Sequence, residues 1–161
     1  MVEKIFIPSV HGEQNISGQG NSDLERQKLF LLIKNHPEQC RSSMIRNKLL
    51  DEAAQYKATD MAAKKYVAHT SPDGVSANQN ILNFGYLLPS NYSKDSNNCE
   101  SLVAEASGRS EKILNAWYTS ESHKVHVLGL INFYREQECV GIGYVKTDRY
   151  TYAVFLSAPC Y

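Results

Sequence analysis

The chain has 161 residues, and its 17 Lys and Arg balance 17 Asp and Glu, so the formal net charge is zero. This length fits one domain that buries roughly 70 % of the surface its unfolded chain exposes. Balanced charge argues against a nucleic-acid partner or an anionic membrane surface. The longest apolar runs fall far short of the ~20 residues that span a bilayer. We therefore expect one soluble domain that binds no nucleic acid and does not span a membrane.

The first part of the chain predicts a lead-in followed by two helices. Residues 8–23 have little apolar content and are rich in Gly, Ser, Asn and Gln, so we expect residues 1–23 to form an extended or mobile lead-in. The single domain is then expected over residues 24–161. Its first helix, 24–36, stops before Pro37, because the residue that precedes a proline is pushed out of the helical region. A longer helix over about 43–67 carries two apolar stripes, so it should pack on two sides.

The rest of the chain alternates short elements and then changes to a two-residue period. A turn is expected at 70–74, where Pro72 and Gly74 favour it, and a short helix should close at Gly85. The β-rich runs near the C terminus predict an antiparallel hairpin. The predicted elements are a helix over 77–84, a strand over 99–105, a helix over 110–119, a helix from Ser120 to about 128, and hairpin strands over 139–145 and 150–156.

Four cysteines favour two disulfides and an exported protein, since no Cys-x-x-Cys spacing indicates a metal or redox motif. A hairpin that turns near 147–149 brings Cys139 within a couple of residues of Cys160, so this pair is preferred. Cys40 and Cys99 would then form the second bridge. The other two connectivities stay open, as do four free thiols in a cytosolic protein. The N terminus shows no signal peptide, so an export leader would have preceded this sequence.

The order of motifs resembles the CAP superfamily, also called the SCP-like extracellular domain, and most closely its bacterial branch. This superfamily includes cysteine-rich secretory proteins, antigen-5 allergens and pathogenesis-related proteins. The motifs are His69-Thr-Ser-Pro-Asp-Gly74 after an Ala-rich helix, a strand around Glu100, Ala116-Trp-x-x-Ser-x-x-His123, and the Gly-Ile-Gly of the hairpin. The resemblance implies an α+β fold, a three-layer α-β-α sandwich with a central, mostly antiparallel sheet. It also implies a groove lined by histidines and acidic residues, which in several members holds a divalent metal, often zinc.

The resemblance assigns three residues of this chain to that groove. The two histidines correspond to His69 and His123, expected as metal ligands, and the strand carboxylate corresponds to Glu100. Cys99 and Ser101 stand where the family has glycine and asparagine, and Ser120 replaces a second glutamate. His126 stands where bacterial members often have a small or polar residue. The residues expected to line or support the groove are Glu100, Ser120, Glu121 and His126.

The chemistry of these residue types supports the same assignment. Neutral imidazole is the commonest metal ligand, and the start of a helix lowers the pKa of a histidine such as His123. Each residue also has a structural interpretation. His69 could cap the long helix, His123 could be a core histidine, and Glu100 could be a buried acceptor. His126 fits packing better than ligation, and Glu121 fits a first-turn acid.

Three functions remain from the sequence. We expect a secreted, surface-displayed or periplasmic domain that acts in binding or interaction, with zinc or another divalent cation held weakly in the groove. The partner would be a protein, a small molecule or a lipid. One alternative is a metal-dependent hydrolase in which His69 and His123 hold zinc and Glu100 is the catalytic general base. The other is a lipid carrier. The common enzyme motifs are absent, so binding is expected rather than catalysis.

Overall fold

The computed structural model describes residues 16–161, and the expected lead-in over 1–15 lies outside the described residues. The elements, in chain order, are α1 (Ile16–Lys34), β1 (Ile45–Arg46), α2 (Lys48–Lys64), α3 (Ala77–Asn83), β2 (Glu100–Glu105), α4 (Ser110–Tyr118), α5 (Glu121–Val127), α6 (Asn132–Arg135), β3 (Cys139–Lys146) and β4 (Thr151–Ala158). No helix among the described residues is both long enough and apolar enough to cross a bilayer.

The four strands form one mixed sheet in the order β1-β3-β4-β2. Only β1 and β3 are parallel, and the other two pairings are antiparallel. Helices cover both faces: α2 packs on β3 and β4, while α1 packs on β3, and α4 and α5 pack on β2. Each face has its own buried cluster, one around Leu50, Met61 and Leu156 and the other around Leu29, Trp117 and Phe155. The α+β sandwich predicted from the sequence is therefore confirmed.

The first two helices begin at other residues than expected. The first helix begins at Ile16, so residues 16–23, expected in the lead-in, are helical. The long helix begins at Lys48 rather than near residue 43. Asn47 explains the second difference, because its side chain accepts hydrogen bonds from two backbone N–H groups of the first turn of α2 and caps that helix. The residues just before this cap are therefore free to pair with β3 as a short strand.

The Gly-Ile-Gly motif of β3 explains how closely α2 approaches the sheet. A Cβ atom on Gly141 would lie 2.2 Å from the carbonyl oxygen of Leu50, and one on Gly143 would lie 2.1 Å from that of Ala54. Such distances are shorter than any real contact, so the backbone of α2 occupies the space of the missing side chains. These glycines are required for close packing rather than for a turn.

The disulfide prediction is half right. Cys139 and Cys160 are bonded, at the open end of the β3–β4 hairpin, whose paired residue numbers sum to 297. The Cys40–Cys99 bridge is wrong, since both cysteines are free. Cys40 is exposed in the loop after α1, next to Leu128, whereas Cys99 is buried in the cluster under α2. Burial also raises the pKa of the Cys99 thiol to about 12, so this thiol stays protonated and is a poor nucleophile.

Candidate functional site

The edge strand β2 presents a carboxylate to a histidine from a separate loop. Glu100 is the first residue of β2, and its side chain is fully buried. Its Oε1 lies 3.0 Å from Nδ1 of His69, which sits in the loop after α2 and keeps 41 % of its side chain exposed. When Glu100 is ionised it accepts this hydrogen bond from Nδ1–H, so Nε2 is the ring nitrogen that Glu100 does not engage. A carboxylate bonded in this way orients the imidazole ring.

The charge of Glu100 is offset within the fold. Burial raises the pKa of this carboxyl group, while the hydrogen bond to His69 and the charge of Lys57 both favour its ionised form. Its second oxygen, Oε2, is buried and has no hydrogen-bond partner among the described residues. Glu100 is thus held below the surface as a support for His69, and its carboxylate does not reach solvent.

His123 lies in α5 and is half-buried. Burial lowers its pKa, and the nearby charge of His69 lowers it further. His123 is therefore neutral at neutral pH, and its imidazole is electrostatically coupled to that of His69. We call His69, Glu100 and His123 the histidine site.

His126 does not belong to the histidine site. Successive strand residues face opposite sides of a sheet, so Ser101 points away from the side that Glu100 faces. The Nδ1 atom of His126 lies 2.7 Å from Ser101 Oγ, and Nε2 lies 2.7 Å from Ser157 Oγ. Both ring nitrogens are therefore occupied within the core. Burial, followed by the charge of Arg41, holds the pKa of His126 well below its ordinary value.

Ser120 and Glu121, which were expected to line or support the groove, lie apart from the histidine site. Ser120 precedes α5 but makes no capping hydrogen bond, and its hydroxyl lies 3.4 Å from that of Ser122. Glu121 is an exposed acid in the first turn of α5, where the helix dipole favours a negative charge. Neither makes a described contact with the histidine site.

Sequence reasoning missed two buried cations. Arg41 donates to the carbonyl oxygens of His126 and Val127, at 2.8 Å each, and to that of Gln137 at 2.7 Å, so it satisfies the last turn of α5. Burial lowers its pKa to about 10. Lys57, in α2, is only 4 % exposed. Its position was a detectable signal, because it lies one turn from buried Ala53 and Met61 on an otherwise apolar stripe.

The histidine site offers few donors for a metal ion. The two imidazoles supply two nitrogens, while the carboxylate is committed to orienting His69. No group of three or more His, Cys, Asp or Glu side chains in residues 16–161 is arranged to hold a metal ion. Structural zinc needs four protein ligands and catalytic zinc usually has three, so water would have to complete the coordination shell here.

Comparison with known proteins settles the family. The cysteine-rich secretory protein (CAP) family matches residues 42–158, which is more than half of the chain. The chain belongs to the CAP family. No curated protein matches it.

Two solved structures share the fold of this CAP domain. One is an extracellular protein from Bacillus anthracis that contains an SCP domain, with a TM-score of 0.67 and 15 % identity over 90 % of this chain. This chain covers 44 % of that longer protein. The other is an outer surface protein from Borrelia burgdorferi, with a TM-score of 0.54, 16 % identity, and 90 % and 91 % of the two chains covered. The CAP assignment made from the sequence motifs is therefore confirmed.

Proposed function

We propose that this CAP domain acts outside the cytoplasm as a binding module, with the histidine site as its polar centre and a divalent cation held weakly by His69 and His123. The observation that carries the proposal is the buried Glu100 side chain, which lies 3.0 Å from Nδ1 of the partly exposed His69 and so orients its ring. Action outside the cytoplasm is supported by the two structural relatives, an extracellular protein and an outer surface protein, and by the Cys139–Cys160 disulfide.

The hydrolase alternative is disfavoured by the position of the carboxylate. A general base must come within hydrogen-bond reach of the water it activates. Glu100 uses Oε1 to hold His69 and has no exposed side-chain surface. A cation bound by the two histidines would polarise a bound water, but in the part of the chain that the structure describes no carboxylate other than Glu100 contacts these histidines to take the proton.

The lipid-carrier alternative would use a different place. An open groove of about 680 Å³ runs along α1 and α4, lined mainly by the apolar side chains of Leu24, Leu31, Leu32, Pro37 and Leu114. Ligand sites usually enclose most of the ligand surface. An open groove would leave an acyl chain in contact with water, so the histidine site is the stronger candidate.

The test is a calorimetric titration with zinc at pH 7.5. We expect wild type to bind one zinc with a Kd weaker than about 1 μM, which is a binding free energy smaller than about 8 kcal/mol. His69→Ala and His123→Ala should each abolish binding. The matched control is His36→Ala, in the loop after α1, whose ring lies 4.6 Å from that of Tyr118 and makes no described hydrogen bond to the histidine site.

Two further measurements, zinc affinity at lower pH and thermal unfolding with a chelator, extend this test. Both imidazoles must be neutral to coordinate zinc, so the zinc affinity should be lower at pH 5.5 than at pH 7.5. Because the pKa of His123 is lowered, this residue should become protonated, and stop binding zinc, only below pH 6.5. A chelator should leave the thermal unfolding midpoint unchanged, since so weak a site contributes little to folding. Zinc binding that survives both alanine variants would show that the ion sits elsewhere, and the proposal would be wrong.

A further inference from the structure

A cleft of about 540 Å³ opens between the end of α2 and the turn that joins β3 to β4. Its volume lies within the range of small-molecule sites. Tyr152 of this cleft pairs with Ala104, four residues beyond Glu100 on β2, so about 13 Å of strand separates the cleft from the histidine site. We call it the hairpin cleft, and it is lined by Lys65, Thr147, Asp148, Arg149, Tyr150 and Tyr152.

One threonine holds the turn that forms the polar side of the hairpin cleft. The Thr147 hydroxyl group donates to the carbonyl oxygen of Tyr150 at 2.9 Å, and it accepts from the N–H groups of Arg149 at 3.4 Å and Tyr150 at 3.1 Å. The Thr147 N–H group donates to the same carbonyl oxygen at 2.8 Å. The turn is therefore ordered before a ligand arrives, which reduces the entropy lost on binding.

Two tyrosines form the aromatic side of the hairpin cleft. The centroids of the Tyr150 and Tyr152 rings are 6.5 Å apart, in edge-to-face geometry. Tyr152 is only 7 % exposed and belongs to the buried cluster under α2, whereas Tyr150 is 45 % exposed. The buried ring anchors the wall of the cleft, and the exposed ring offers an apolar surface to a ligand.

Lys65 lines the hairpin cleft from a backbone conformation that favours glycine. It is the C-cap of α2 with φ 56°, and it is the one non-glycine residue with positive φ in the described part of the chain. A Cβ atom is unfavourable in this left-handed conformation, and glycine is the common residue at helix ends of this kind. Backbone strain of this sort clusters at ligand-binding sites. The position therefore points to a role for the Lys65 side chain in the cleft.

The charged side chains of the hairpin cleft leave an excess of positive charge. Lys65 and Arg149 supply two cations and Asp148 one carboxylate, and all three residues are exposed. None of them takes part in an ion pair within residues 16–161. Guanidinium and ammonium groups bind carboxylates, and a guanidinium can do so through two parallel hydrogen bonds. A ligand with a carboxylate group complements this charge.

We propose that the hairpin cleft binds a saccharide that carries a carboxylate group, as a uronic acid does. The carboxylate pairs with Arg149 and Lys65, while Asp148 accepts hydrogen bonds from sugar hydroxyl groups. The C–H face of the sugar ring is apolar and packs on the exposed ring of Tyr150. An open cleft suits such a ligand, because its outward hydroxyl groups keep their water. This second site goes beyond the proposed function and uses neither the histidines nor a metal ion.

The test is an NMR titration of the isotope-labelled protein with trigalacturonate and with its methyl ester, which keeps the sugar rings and removes their charge. We expect trigalacturonate to bind with a Kd of about 0.1 to 1 mM, and the ester to bind at least about tenfold more weakly. The backbone amide signals that shift should be those of Lys65 and of residues 147–152.

Variants then separate binding from folding. Arg149→Gln and Tyr150→Ala should each weaken binding at least about tenfold. Lys65→Gly should weaken it as well, yet it should raise the thermal unfolding midpoint, because glycine adopts the left-handed conformation without strain. A variant that binds less and folds better cannot owe its loss of binding to misfolding. The matched control is Lys48→Gln, at the other end of α2, where the side chain is 87 % exposed and the affinity should not change.

Several results would overturn this inference. Amide shifts elsewhere, or wild-type affinity in all three variants, would show that the saccharide binds outside the hairpin cleft. Equal affinities for the acid and its ester would contradict the role of Arg149 and Lys65. Tighter binding of hexa-aspartate than of trigalacturonate would make the cleft a site for an acidic peptide instead. A titration without any shift would refute binding altogether. Because none of these variants alters the histidine site, the zinc titration succeeds or fails independently.

Discussion

Replacing His126 with glutamine should flatten the dependence of stability on pH, and the hydrogen bonds of the ring show why. Ser157 donates its hydroxyl hydrogen to Gln137 Oε1 at 2.6 Å, so it must accept from Nε2–H of His126. The Nδ1 atom is then the unprotonated one and accepts from Ser101. A second proton, on Nδ1, would meet the hydroxyl hydrogen that Ser101 donates, so this hydroxyl group would have to turn and lose its present hydrogen bond. The proton would also lie beside Arg41, whose guanidinium donates to the carbonyl oxygen of His126. The folded protein therefore resists protonation of His126.

The sign of the effect follows from linkage. The pKa of His126 lies well below 6.5 in the folded state and near 6.5 in the unfolded state. Below pH 6.5 the unfolded chain takes up a proton that the folded chain refuses, so the free energy of unfolding falls as the pH falls. One such group contributes a loss of about 1.4 kcal/mol between pH 7.5 and pH 5.5. A glutamine at this position does not titrate and contributes none of that loss.

The assay is urea unfolding of wild type and His126→Gln at pH 7.5, 6.5 and 5.5. At pH 7.5 the variant should be less stable by about 1 to 3 kcal/mol, because the amide cannot match both hydrogen bonds. The difference should shrink by about 1.4 kcal/mol at pH 5.5. Other groups with shifted pKa values, among them His123 and Glu100, are present in both proteins, so their contributions cancel in the comparison. Parallel pH profiles for the two proteins would show that His126 is not kept neutral by the fold.

Two further predictions follow from the packing and the cysteines. Thiol titration under denaturing, non-reducing conditions should find two free thiols per chain, Cys40 and Cys99, whereas a count of zero would show that these two are bridged after all. Replacing Cys139 and Cys160 with serine opens a loop of 21 residues and should lower the free energy of unfolding by about 3 kcal/mol. Gly143→Ala should cost about 3 kcal/mol in urea unfolding, because its Cβ would overlap the backbone of α2. Gly74→Ala is the control, because Gly74 has φ +82° and an added Cβ would have no neighbour within 4 Å. Backbone strain alone should then lower the free energy of unfolding by about 1 kcal/mol. Equal losses for the two variants would contradict the steric argument.

The elements that the sequence predicted well are those with local signals. The hairpin register followed from one short turn, and this fixed the Cys139–Cys160 pair. The strand β1 was missed because two residues carry no periodicity, and a short parallel strand is defined only by its partner β3. The Cys40–Cys99 pair was reached by elimination, which no local signal supports. Pairing of distant cysteines depends on tertiary structure, and here one thiol is exposed and the other lies in the core.

The candidate site was predictable in its histidines and carboxylate but not in its buried charges. The motifs named His69, Glu100 and His123, whereas Lys57 and Arg41 were hidden because a basic side chain on a helix or in a loop usually faces solvent. Their roles exist only in the fold, since each donates to backbone carbonyl groups that are distant in sequence. The sequence offered one indication of these buried charges, which is that Lys57 lies on the apolar stripe of α2.

The departures of this chain from the family pattern are connected to one another. Ser101 stands where the resemblance expects asparagine, and His126 stands where it expects a small or polar residue, yet these two side chains bond to each other at 2.7 Å. Their hydrogen bond joins β2 to α5. Because Glu100 precedes Ser101 on the strand and His123 lies one turn before His126 on the helix, the same bond fixes the carboxylate and the second histidine relative to each other. His126 thus supports the histidine site from the opposite face of the sheet without contributing a ligand to it.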